Sequence, residues 1–252
     1  MKLFSLLLLI TSLFSSAIFS STIAVAETGS NSKIETVKGI QGVDMLRLAL
    51  RKSMPGVKPT KITESPIAGL YEVIVGSQVV YMSVDARYMI EGDLHDFLTK
   101  TNVSENAKSG IRLSAINQFD EKDMLIYTPE KVSDTITVIT DIDCPYCRRL
   151  HNEIPQYMEN NIEVRYIFMP IKGASDMKKT ISVWCSEDQQ TALNIAKAGG
   201  EVEAKTCDNP IDEHMKLART LGVRGTPAIL LEDGSLLPGY VPVDKLVAEL
   251  RK

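Results

Sequence analysis

The feature that most constrains this chain is a β-branched run, Thr135 to Asp141, that leads directly into Cys144-Pro145-Tyr146-Cys147 and on into a helical stretch, Pro145 to Tyr157. Two residues between the thiols let both sulfurs approach when the first cysteine caps a helix and the second lies in its first turn. A short, reversible disulfide then closes. Pro145 suits the first helical position, where a missing N–H has no partner to lose, and Cys144 then faces the unpaired N–H groups of the first turn. Those donors, with the positive end of the helix dipole, lower a cysteine pKa from about 8.5 into a range of roughly 3.5 to 7.5. Cys144 is therefore the expected nucleophile. Cys147, one turn in and more buried, is the expected resolving thiol that releases a mixed disulfide.

Other uses of the spacing fit less well. Zinc needs a second ligand pair at short spacing, but Cys185 and Cys207 stand 22 positions apart with no close cysteine or histidine, so no metal site is expected. Covalent haem requires histidine after the second cysteine, and position 148 is Arg148. A purely structural Cys144–Cys147 bridge would close too small a loop to constrain the unfolded chain. Net charge excludes another class: 28 basic against 32 acidic residues give −4, leaving no electrostatic footprint for nucleic acid. With 44% hydrophobic and 24% charged residues, the chain is globular rather than disordered, collagenous or coiled-coil.

The compartment suits thiol chemistry. Lys2 precedes an uncharged stretch rich in leucine that ends at Ala24-Val25-Ala26, a small-residue cleavage signature, so residues 1–26 read as a secretory signal peptide. An uncleaved membrane anchor is the alternative, since no charge interrupts Leu3 to Ala26. Export places the thiols in an oxidising space, where a dithiol can be held as a disulfide.

After the leader, residues 27–92 read as a small domain. Val43, Leu46, Leu50 and Met54 lie on one helical face, and three meandering antiparallel strands follow at Leu70–Val75, Gln78–Val84 and Arg87–Ile90. A core of this size is marginal, so a second copy is expected to cover it, although packing on the C-terminal neighbour would serve as well. Residues 93–123 carry Leu94, Phe97, Leu98, Ile111, Ala115, Ile116 and Phe119 in near-helical spacing and read as a linker helix. Residues 124–252 form the catalytic domain. Beyond the strand–CxxC–helix unit they offer a strand at Ile162–Met169, helices at Met177–Cys185, Gln189–Ala198 and Ile211–Leu221, a hairpin from Ala228 to Tyr240, and a closing helix at Val243–Arg251. The whole is an α+β protein whose C-terminal domain has the order of a thioredoxin-type fold with a helical insert.

In such a fold the loop holding Thr226-Pro227 lies beside the CxxC, where a cis X-Pro bond leaves the backbone of Thr226 free to pair with an extended substrate. A simple strand-initiating proline is the alternative. Thr226, Pro227, Pro145 and Tyr146 are thus the positions expected to border substrate. Four cysteines allow three connectivities. The local one pairs Cys185 with Cys207 as a structural bridge and leaves Cys144 and Cys147 free to cycle; two buried free thiols are the alternative. His151, two turns after Cys144, is expected at the surface, and Asp141 and Asp143 as solvated carboxylates that could bias the motif. Trp184 is expected in the core.

Taken in order, the leader, Ser65-Pro-Ile-Ala-Gly-Leu-Tyr71, Val79-Val-Tyr-Met-Ser83, Thr137 through Cys147, Val164-Arg-Tyr166, Trp184-Cys185, Gly225-Thr-Pro227 and Leu237-Pro-Gly-Tyr240 resemble the bacterial periplasmic DsbC/DsbG family over nearly the whole mature chain. The resemblance implies a V-shaped homodimer joined through the N-terminal domains, with an uncharged cleft that binds misfolded exported proteins in a chaperone-like way. It also implies a dithiol kept reduced by a membrane reductase of the DsbD type, and no metal or organic cofactor. Pro145-Tyr146 departs from the Gly-Tyr common in DsbC and matches the form typical of DsbG, whereas the Cys185 and Cys207 pair resembles the extra disulfide of DsbC. Isomerisation of wrong disulfides and reduction of sulfenylated single cysteines both follow from the resemblance. A holdase without thiol chemistry is the remaining alternative.

Overall fold

The computed structural model describes residues 42–251. The expected leader and the first residues of the N-terminal domain lie outside the described residues.

The first helix, α1 (Gly42–Ser53), is amphipathic, and Leu46 and Leu50, four residues apart, bury on one face. It covers a sheet ordered β1-β2-β3-β4, antiparallel throughout, formed by β1 (Lys61–Glu64), β2 (Leu70–Val75), β3 (Gln78–Ser83) and β4 (Met89–Glu91). The two central strands bury both faces. Val73 pairs with Val80 and packs towards α1, while the next pair, Ile74 and Val79, points to the other side with Tyr81. There Ala107 and Ile111 of α2 (Val103–Ile116) meet it. Among the described residues the edge strand β4 pairs only with β3, and Met89 and Ile90 are exposed.

The connecting segment is only partly helical. Residues 93–102 form a small hairpin, β5 (His95–Asp96) with β6 (Thr101–Asn102), that puts Phe97 and Leu98 more than 90% into solvent, so the helix expected over 93–123 is confined to 103–116. Asn102 sets that boundary, its side chain accepting the N–H of Glu105 as an N-cap. The far end of α2 binds the C-terminal domain. Arg112 donates to the carbonyls of Leu221 (3.2 Å) and Gly234 (3.1 Å) and pairs with Glu105.

A five-stranded sheet organises the C-terminal domain in the order β11-β10-β8-β9-β7, comprising β7 (Leu125–Tyr127), β8 (Asp134–Thr140), β9 (Ile162–Phe168), β10 (Ala228–Leu230) and β11 (Leu236–Pro238). The β8 and β9 strands are parallel and the other pairings antiparallel. The β-branched run is the central strand, with Ile136, Val138 and Ile139 wholly buried, so it ends at a fixed height above the core. The helix expected over 145–157 is two, α3 (Pro145–His151) and α4 (Ile154–Glu159), because Pro155 has no N–H to continue the ladder. Next come α5 (Ala174–Trp184) and α6 (Gln189–Lys197), then a loop tied back by a Cys185–Cys207 disulfide, α7 (Ile211–Thr220) and α8 (Val243–Leu250). Trp184 packs in the core against Phe168 and His214.

Candidate active site

Strand β8 ends at Thr140, and the turn through Asp141 and Asp143 delivers Cys144 as the N-cap of α3, with extended backbone (φ −74°, ψ 123°) and Pro145 at the first helical position. Both motif thiols are free. Cys144 is 8% exposed and Cys147, inside the first turn, 1%. The loop before β10 closes over them through a cis Thr226-Pro227 bond, and the Thr226 carbonyl accepts the Cys144 thiol at 3.3 Å. Pro145 and Tyr146 occupy the rim, the Tyr146 ring mostly in solvent. All six positions expected around the dithiol or substrate meet here; Cys185 and Cys207 lie apart, at the end of α5 and in the loop after α6.

The two sulfurs are tuned in opposite directions. Burial pushes the Cys144 thiol up, but the Cys147 backbone N–H, the Thr226 hydroxyl, the Cys147 thiol and the Tyr146 N–H all favour the thiolate, and together they hold it below the ordinary cysteine value. The Thr226 Oγ1, buried and without a hydrogen bond among the described residues, is the donor left available for that charge. Burial dominates at Cys147 and raises it, against the opposing pull of Lys197, the Asp141 N–H (3.5 Å) and the side chains of Thr140 and Thr226. The outer sulfur thus ionises first.

Two expectations about neighbouring groups are corrected. Asp141 is no solvated carboxylate: it is buried, accepting the N–H of Asp143 (2.8 Å) and of Ile171 (3.1 Å), and so ties the motif turn to the loop after β9. His151 is not at the surface either. Its ring bridges Tyr166 (3.0 Å) and Asn194 (2.9 Å), and burial lowers its pKa to about 4, so it is a neutral structural group. Asp143 is half-buried and held ionised by Lys179 (2.7 Å) and Arg148 (2.8 Å). Sequence reasoning passed over Thr140, Asp176 and Lys197 beneath the motif. Lys197 follows Leu193 by four residues on the buried face of α6, and that spacing was its one visible signal.

Comparison with known proteins agrees with this geometry. Residues 27–105 match the disulfide bond isomerase protein N-terminal domain, and residues 121–252 match a thioredoxin-like domain. The thiol:disulfide interchange protein DsbC of Salmonella typhimurium is 38% identical over 199 residues, covering 76% of this chain and 81% of its own. The chain belongs to the DsbC family. DsbC of Escherichia coli is 36% identical over 74% of this chain and 79% of its own, and DsbC of Dickeya dadantii 33% over 85% and 90%. A linker-deletion mutant of ScsC from Proteus mirabilis shares the fold, with a TM-score of 0.50 at 22% identity over 58% of this chain and 84% of its own. As a DsbC-family member the chain is a thiol-disulfide oxidoreductase of the isomerase kind.

Proposed function

We propose that this enzyme reduces and isomerises incorrect disulfides in exported proteins through Cys144 and Cys147. The observation that carries the reading is the free Cys144 sulfur at the N-cap of α3 against the cis Thr226-Pro227 loop, an arrangement in which its thiol is held below the ordinary cysteine value. Cys144 attacks one sulfur of a substrate disulfide and forms a mixed disulfide, expelling the other as a thiolate. The mixed disulfide then rearranges within the substrate or is resolved by Cys147, which leaves Cys144–Cys147 oxidised. Thr226 and Pro227, with Pro145 and Tyr146 opposite, border the bound segment, and the Cys185–Cys207 bridge is structural. No cofactor takes part.

The family points to the rest of the setting. The chain is exported to the periplasm after loss of residues 1–26, and pairs as a homodimer through residues 27–92. Residues 93–123 link this part to the thioredoxin-like domain at 124–252. Misfolded chains bind between the two catalytic domains in a chaperone-like way, and a membrane reductase of the DsbD kind returns the dithiol to its reduced state. The Pro145-Tyr146 pair favours a second reading, reduction of sulfenylated single cysteines. Trapping with Cys147→Ala separates the two: covalent partners with several cysteines support isomerisation, and partners with one cysteine support the second reading. Refolding of a scrambled substrate at the wild-type rate by Cys144→Ala would leave only a holdase.

A further inference from the structure

Lys197 is a buried cation directly beneath the dithiol, 2% exposed at the end of α6. Its stem runs along the apolar face that Leu193 and Ala196 also bury, and its Nζ reaches the end of β8, donating to Thr140 Oγ1 at 2.7 Å and to the Asp141 carbonyl at 2.8 Å. Burying an ammonium is costly unless its neighbours repay the lost hydration. Those neighbours are informative. Thr140 and Asp141 are also the residues that address Cys147 Sγ: the Asp141 backbone N–H donates to it at 3.5 Å, and the Thr140 hydroxyl favours its ionised form. The lysine is therefore held through the Thr140 hydroxyl and the carbonyl of Asp141, the residue whose own N–H reaches the inner sulfur. A hydroxyl that accepts from Nζ keeps one proton to give, and it is the ionised form of Cys147 that this hydroxyl favours.

The charged and titratable groups around this spot are Cys144, Cys147, Arg148 and His151 at and within α3, Asp141 of the turn with Asp176 of α5 against it, and Tyr166 of β9. Of these, Cys147 favours the ammonium most, and Lys197 is the charge that most favours the Cys147 thiolate. Burial brings Lys197 down to about 8 and pushes Cys147 up, so the two shifts favour the neutral amine and the neutral thiol.

We propose that Lys197, acting through the Thr140 hydroxyl, takes up the Cys147 proton when Cys147 resolves the mixed disulfide. The inference rests on the dithiol reading above. With Lys197 neutral, the S–H proton of Cys147 passes to Thr140 Oγ1 as the Thr140 proton passes to Nζ. The Cys147 thiolate attacks Cys144 Sγ, the bond from Cys144 to the substrate sulfur breaks, and that sulfur leaves with the electron pair. The enzyme is oxidised by two electrons to the Cys144–Cys147 disulfide, and the substrate disulfide has been reduced to two thiols. The proton on Lys197 then passes to the departing thiolate or to water. The ammonium-to-hydroxyl bond of 2.7 Å in the structure is the one this ion pair would keep. Lys197 is thus a positioning residue for the second chemical step.

Single-turnover reaction with a disulfide-bonded peptide, acid-quenched between pH 5 and 9 and read by mass spectrometry, follows both steps. Lys197→Met and Thr140→Val are each expected to slow decay of the mixed disulfide about tenfold or more at pH 7 and to move its half-maximal pH upward, while its formation is spared. Thr140→Ser, which keeps the hydroxyl, should resolve faster than Thr140→Val. The near-isosteric Thr140→Val carries the test should Lys197→Met fold poorly. Resolution at the wild-type rate and pH profile in these variants overturns the inference, as does an equal loss in both steps. Absence of any mixed disulfide in the wild type would overturn the dithiol reading and this inference with it.

Discussion

Replacing Cys185 and Cys207 together by alanine is expected to destabilise the catalytic domain without disarming it. The bridge closes a segment of 22 positions between the end of α5 and the loop after α6. The chain-entropy relation for a loop of that length gives a loss of about 11 cal/mol/K, or about 3 kcal/mol at 25 °C. With a urea dependence of about 2 kcal/mol/M for a domain of this size, the unfolding midpoint should fall by about 1.5 M. Trp184, the single tryptophan, adjoins Cys185 and packs against Phe168 and His214, so its fluorescence reports this domain directly. The free thiols Cys144 and Cys147 share no bond with the bridge, and alkylation of Cys144 should keep its wild-type rate in the folded variant. A midpoint shift below about 0.3 M would refute the loop-closure reasoning and show that the insert is held by packing alone.

Three further perturbations follow from the geometry. Asp176 is held at about 6, first by burial and then by the hydrogen bond to the Asp141 carboxylate. Its folded value lies above the unfolded 3.8, so the folded protein holds the extra proton, and the stability this gives is present below about pH 4 and lost as pH rises through 6. Asp176→Asn should therefore melt above the wild type at pH 7.5, with the gap closing towards pH 4; an equal gap at both pH values would sink the assignment. Ser104→Ala strands the Tyr81 hydroxyl (2.7 Å) and the Leu94 N–H (2.8 Å), and should cost about 1–3 kcal/mol in chemical denaturation, with little change expected from Ser104→Thr if the hydroxyl is what matters. Arg112→Met removes the donor to the Leu221 and Gly234 carbonyls, and hydrogen exchange should then quicken in residues 231–236 ahead of the rest of the domain. Uniform exchange would show that α2 is held there by other contacts. The approach is close: a Cβ on Gly234, whose φ is +83°, would lie 2.5 Å from the Ser109 carbonyl oxygen.

Local signals gave the elements that frame the site, and long-range partners account for what they missed. The run Ile136, Val138 and Ile139 reads as a buried strand because every turn signal around it agrees, and Cys144 with Pro145 reads as a helix start on the same grounds. Strand β1 carries a single buried apolar residue, Ile62, in Lys-Ile-Thr-Glu, too little for a period of two. Leu94, Phe97 and Leu98 mimic a helical spacing, yet residues 93–102 turn as a hairpin, with Asp96 accepting the N–H groups of Leu98 (2.8 Å) and Thr99 (3.2 Å). Burial of His151 depends on Tyr166 and Asn194, and that of Asp141 on Ile171, partners 15 to 43 positions away that no window around the motif contains. The Lys197 position follows the same rule. Its helix face was readable, but its target at Thr140 lies 57 residues upstream.

Thiol exchange by this enzyme depends on the ionisation of Cys144. Reduced protein, alkylated with iodoacetamide across pH 4 to 10 and digested to read modification at Cys144 alone, measures it directly. The donors at the start of α3 predict a rate that reaches half its maximum below the value of about 8.5 for free cysteine, while Cys147 stays unmodified until higher pH. A midpoint for Cys144 at or above 8.5 would contradict the account.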